Sequence, residues 1–166
     1  MTALDVRVAL VLSLAASPLA ASPLAAQAYT FHPAVQPELR AEVVVARRVA
    51  VVGMAGLNTP FGLYVRAGIN VGLGVADTRE GAALALRADA VARFLLDPFA
   101  QHTWGPYAGG GLTVWRDGAE SARAGLLLLL GVEGRRRGRW TPAIEAALGE
   151  GARLAVVLRR ARQNGR

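Results

Sequence analysis

Along residues 63–76 apolar side chains alternate with small or polar ones. Leu63, Val65, Ala67, Ile69, Val71, Leu73 and Val75 are apolar, and Tyr64, Arg66, Gly68, Asn70, Gly72 and Gly74 stand between them. A period of two marks a β-strand with one apolar face. Strands in soluble domains usually run about five or six residues. This one is long enough to cross a bilayer, which takes roughly 9–11 tilted residues.

The rest of the chain divides the same way. Apolar segments at Leu39–Ala46, Val49–Gly56, Leu63–Ala76, Ala82–Leu96, Trp104–Trp115, Ala122–Glu133, Trp140–Leu148 and Ala152–Arg160 are separated by short polar or Gly/Pro stretches, among them Leu57–Gly62. Eight strands follow if the chain turns at Arg47-Arg48, and seven if it runs through that poor turn pair. Eight is preferred, because single-chain bacterial barrels have even strand numbers. The connections are too short for crossover helices, so neighbours pair antiparallel. Ala82–Leu96 is rich in helix formers. It still alternates, with Leu84, Leu86, Ala88, Ala90, Ala92 and Phe94 on one side and Arg87, Asp89, Val91 and Arg93 on the other, and reads as a strand. The predicted fold is all-β, an antiparallel up-and-down barrel of about eight strands after an N-terminal signal peptide.

The polar face decides what kind of barrel this is. It carries few charges among many small residues, Gly109, Gly111, Gly125 and Gly131 among them. That suits a narrow lumen just wide enough for side chains to fill. Charges buried there need partners. The expected lumen network is Arg66, Arg87, Arg93 and Arg153 against Asp89, Glu133 and Glu145. Phe61, Tyr64, Phe94, Trp104, Trp115 and Trp140 lie near segment ends, as in the aromatic girdles at the two membrane interfaces. The alternative is a soluble periplasmic barrel binding an apolar ligand. There the Arg66/Arg87/Asp89/Glu145 face meets water, and the Leu84/Leu86/Leu126/Leu128 face lines the cavity.

Val8–Ala16 followed by Ala26-Gln27-Ala28 has the form of a signal peptide and its cleavage site. The domain reading is therefore a signal peptide at 1–28, a lead-in at 29–38 containing two prolines, a barrel at 39–162 and a tail at 163–166. With the signal peptide, strands such as LYVRAGINVGLGV and WGPYAGGGLTVW and a charged lumen face, the chain resembles the small outer-membrane β-barrel superfamily, of the OmpA-like transmembrane-domain type. The resemblance covers residues 39–160. It implies an outer-membrane location, insertion by the outer-membrane assembly machinery and both termini in the periplasm. Members commonly close their last strand on an aromatic residue, whereas Leu158–Arg166 contains none. The family has no common activity, so no functional residues carry over.

Composition narrows the function classes. Hydrophobic residues make up 53% of the 166, too many for a disordered chain. No cysteine is present, so neither a disulfide framework nor a thiolate metal site exists. His32 and His102 stand in connecting segments without zinc-ligand spacing. Ser121 is the one serine after residue 28, no nucleophile elbow occurs, and Gly109–Gly111 lacks the lysine of a phosphate loop. No catalytic residue, metal or cofactor is expected, and the chain reads as a non-enzyme. The net charge is +7. Arg135-Arg136-Arg137-Gly138-Arg139 is read as a solvated turn anchoring the barrel at the interface, with anionic lipid the alternative. The expected partners are outer-membrane lipid and the assembly machinery, with no nucleic acid and a monomeric state.

Overall fold

The computed structural model describes residues 35–79, 81–99, 104–118 and 120–160. The signal-peptide reading, His32, His102 and residues 161–166 lie outside them. Eight antiparallel strands follow one another: β1 Gln36–Val45, β2 Val49–Phe61, β3 Val65–Thr78, β4 Gly81–Leu95, β5 Gly105–Asp117, β6 Arg123–Glu133, β7 Trp140–Leu148 and β8 Ala152–Arg160. Each pairs with the next, and β1 closes on β8 in a register running from Glu38↔Arg159 to Val45↔Ala152. Closure leaves no free sheet edge.

The chain does turn at Arg47-Arg48, where the Ala46 N–H donates to the Arg48 carbonyl at 3.0 Å, so the strand count is eight. Ala82–Leu96 is strand, not helix. Several strand boundaries differ from the sequence reading, two of them by more than the others. The lead-in ends earlier, because Gln36–Glu38 already belong to β1, with Glu38 buried opposite Arg159. Leu57–Phe61 continue β2 instead of forming a loop. Asn58 is buried and its side chain donates to the Gln36 carbonyl at 3.1 Å. Beyond Asn58, β2 pairs with β3 alone, a setting that tolerates Pro60.

Burial alternates along the strands, except over Val65–Gly68 of β3 and Ala108–Gly111 of β5, which are half-buried throughout. The outward residues are the large apolar ones, such as Ile69, Leu84, Leu126 at 76% exposure, Leu128, Val156 and Leu158. Inside are the buried charged side chains, such as Glu38, Arg93, Glu145 and Arg159, and two apolar walls. One is Val44, Ala50, Val52, Met54, Ala76 and Ala85, from β1–β4. The other includes Val91, Tyr107, Leu127, Leu129 and Val157, from β4–β8. Within Leu126–Leu130 the chemistry does not alternate at all. Only the register sends Leu127 and Leu129 inward and their neighbours out.

Gly109 and Gly111 sit where β5 lies close against the Ala92 and Ala90 carbonyls of β4, leaving no room for a Cβ. Tyr107 turns inward, and the glycine that admits it is its register partner Gly131 on β6.

Candidate functional site

The inward positions of the strands bring together a continuous array of ion pairs. Glu145 of β7 is its hub. Its Oε1 accepts from Arg93 Nε at 3.0 Å and from the Tyr107 hydroxyl at 2.7 Å, and it also pairs with Arg40 and Arg159. Arg159 of β8 donates to Glu38 at 2.7 Å and to Glu133 at 2.6 Å, with its guanidinium 5.0 Å from the Tyr107 ring centroid. Arg93, Glu145 and Arg159 are each only 1% exposed. Arg66 reaches Glu133 at 2.5 Å, at the partly exposed end of the array.

Arg40 carries the array onward to Glu42 at 3.5 Å. Glu42 lies 3.4 Å from Arg87 and 3.9 Å from Arg153. Arg153 holds Asp89 at 3.1 Å and the Thr113 hydroxyl at 2.7 Å. Arg87 pairs with Glu150 in the β7–β8 turn. The carboxylates of Glu38, Glu42, Asp89, Glu133, Glu145 and Glu150 thus meet the guanidiniums of Arg40, Arg66, Arg87, Arg93, Arg153 and Arg159 in equal number. Arginine suits such packing, because its planar fork stays charged and reaches several acceptors.

Of the charged residues expected from the sequence, the structure pairs Arg66 with Glu133, Arg93 with Glu145 and Arg153 with Asp89. Arg87 instead goes to Glu42 and Glu150. The expected network lacks Glu38, Arg40, Glu42 and Arg159, which the structure adds to it. Their signal was present. Glu38, Arg40 and Glu42 alternate with Leu39, Ala41 and Val43, and Arg159 follows Arg153, Ala155 and Val157 at spacing two.

The aromatics separate into two groups. Phe61, Tyr64, Phe94, Trp104 and Trp140 are exposed. All five lie near the barrel end where β1 begins and β8 finishes, called the terminal end below. Tyr64 and Phe94 stack there with centroids 5.7 Å apart. Trp115 corrects the girdle reading. It shares the parity of buried Thr113, faces inward, and its ring lies against Gly125. It lines a cavity of about 670 Å³ at the opposite, turn end. Arg47, Arg48, Arg79 and Arg123 also line that cavity, together with Asp77, Asp117, Glu120 and Glu150. Glu120 bridges Arg48 and Arg123, at 3.0 Å each. Burial raises the Glu150 carboxyl above its usual range despite Arg87, and nearby Asp117 adds to the shift.

The distribution of polarity also decides the environment. Arg87, Asp89 and Glu145 are buried, while Leu84, Leu86, Leu126 and Leu128 are exposed. The soluble alternative required the reverse and is overturned. A continuous apolar exterior of this extent is what a transmembrane barrel presents to lipid.

No protein-family model matches the sequence, and no curated protein sequence does. Solved structures do. Neisserial surface protein A superposes with a TM-score of 0.58 at 15% identity, over 76% of this chain and 94% of that one. The N-terminal β-barrel domain of Pseudomonas aeruginosa OprF gives 0.53 at 12% identity, over 75% and 96%. The chain has the fold of the eight-stranded outer-membrane β-barrels. At such low identity the likeness speaks to architecture, and the residues that fill this barrel are argued from its own geometry.

Proposed function

We propose that this chain is a small outer-membrane protein with a structural or interaction role, whose polar lumen is filled by its own side chains. The observation that carries the reading is the array from Arg66 to Glu150. Each of its members has at least one oppositely charged neighbour, the charges balance, and Arg159 lies over the Tyr107 ring inside the barrel. Water and ions moving through would have to separate buried pairs, which is costly. The barrel is therefore a plug and not a pore. It works as a monomer and as a non-enzyme, delivered to the membrane by the outer-membrane assembly machinery.

The test is to fractionate the untagged protein from a Gram-negative host and compare its gel mobility before and after boiling. Outer-membrane protein whose mobility changes on boiling is expected. Soluble periplasmic protein with unchanged mobility would sink the reading. In planar bilayers the inserted barrel should pass no steady ion current, and steady conductance by the wild type would remove the plug.

A further inference from the structure

The terminal end concentrates two features that the turn end lacks. Among the described residues, every outward-facing aromatic lies there. So does the β6–β7 loop with Arg135, Arg136, Arg137 and Arg139, joined by Arg160 at the end of β8, all exposed. The turn end mixes Arg47, Arg48, Arg79, Arg116 and Arg123 with Asp77, Asp117, Glu120 and Glu150.

The arginine loop is held in place by its neighbours. The Gly134 N–H donates to the Pro142 carbonyl at 2.8 Å. Arg137 and Trp140 exchange two backbone hydrogen bonds, at 2.8 and 3.1 Å, closed by Gly138 at φ +61°. The Trp104 ring covers Gly134, where a Cβ would come within 3.2 Å of Cζ3. Trp140 and Arg160 are register partners facing outward from adjacent strands. Glu133, the carboxylate next to the loop in sequence, is occupied inside by Arg66 and Arg159, and Asp97 between β4 and β5 is the half-buried carboxylate on this end, against the four arginines of the loop and Arg160.

We propose that Arg135, Arg137, Arg139 and Arg160, flanked by Trp104 and Trp140, form a docking surface for the phosphate headgroups of anionic glycerophospholipid. Tryptophan rings favour the level between acyl chains and headgroups. Guanidiniums just beyond that level meet phosphate oxygens with matching charge and geometry. The turn end, with mixed charges and its tryptophan turned inward, offers no equivalent. The proposal rests on the membrane reading above and adds a lipid class and a preferred end.

The test uses the Trp115→Phe protein, which leaves Trp104 and Trp140 as the tryptophan reporters. It is refolded into vesicles of phosphatidylcholine containing a minor fraction of brominated phosphatidylglycerol or brominated phosphatidylcholine. Insertion is checked first by heat-modifiable mobility. Brominated phosphatidylglycerol should quench more strongly, corresponding to a relative affinity of roughly five-fold or more. The preference should fall with salt and disappear in a variant carrying Arg135→Gln, Arg137→Gln, Arg139→Gln and Arg160→Gln that still inserts. Equal quenching by the two lipids, or a preference that survives the four substitutions, overturns the proposal alone. Failure to insert into any of these vesicles overturns the membrane reading, and this proposal with it.

Discussion

The two ends of this barrel share one strand pattern and differ in what fills them. At the terminal end the interior is packed with Glu38, Arg93, Tyr107, Glu145 and Arg159, and aromatic rings surround the outside. At the turn end, buried Val44 and Ala50 line an open cavity whose rim is charged and whose tryptophan points inward. Alternation decides which side chains face in. It does not decide whether the inside becomes an ionic plug or an open mouth. Complementary charges meeting across the barrel decide that, and those contacts join strands distant in sequence, as when Arg40 of β1 meets Glu145 of β7. The terminal end should therefore be rigid and intolerant of change, and the turn end permissive.

Glu145→Leu is the most severe test. It removes the carboxylate facing Arg40, Arg93 and Arg159 and the acceptor of the Tyr107 hydroxyl. Breaking a buried pair by deleting one partner costs about 3–5 kcal/mol. Its counterpart at the turn end is Glu120→Gln, where side chains a third or more exposed form the bridges. That change should cost less than about 1 kcal/mol. Reversible urea unfolding from lipid vesicles reads both, and equal losses would break the contrast between the ends.

Gly131→Val comes next. A Cβ at this position meets the Tyr107 ring, so the ring must leave its place beneath Arg159. Overpacking of this kind costs about 1–3 kcal/mol. Pairing the substitution with Tyr107→Ala should recover part of the loss in the same unfolding assay. A double variant that is no better than the sum of the two would mean that the glycine serves something other than the ring.

How much of this was legible in the sequence follows from what each signal depends on. β7 and β8 fall at the residues that alternation and punctuation mark, Trp140–Leu148 and Ala152–Arg160. These segments carry a clean period of two between clear breaks. The start of β1 was hidden by Pro33 and Pro37, and with it Glu38 was passed over. Leu126–Leu130 shows no period, because an apolar interior wall meets an apolar exterior there. Trp115 was misread because its position near a strand end was weighed above its parity with Thr113. Which carboxylate each arginine takes was not legible at all, since it depends on the three-dimensional closure of the barrel.

Tryptophan substitution at the two ends sharpens the comparison more gently. Trp140→Ala removes an outward-facing ring and, if that ring meets the headgroup layer, should lower stability in vesicles by about 1 kcal/mol. Trp115→Ala only widens the mouth and should cost less. In detergent micelles, which lack a flat headgroup layer, the gap between the two should shrink. A gap that persists unchanged there would tie Trp140 to packing within the protein instead of to the bilayer.

The smallest expected effect is a pH dependence confined to the turn end. Burial raises the Glu150 carboxyl above its unfolded value, more than the Arg87 guanidinium lowers it, with Asp117 pushing the same way. Folding therefore favours the protonated form. The stability this contributes is fully present below the ordinary carboxylate range and is lost as pH rises through the raised folded value. Glu150→Gln cannot ionise, so relative to it the wild type should lose stability as pH climbs through that window, with parallel curves above it. Arg87 keeps Glu42 at 3.4 Å, so the substitution leaves that guanidinium a countercharge. The measurement is unfolding of both proteins in vesicles across the carboxylate range. A wild type that gains stability with rising pH relative to Glu150→Gln would mean that the Arg87 pair outweighs burial. The mouth would then be held by the same ionic logic as the terminal end.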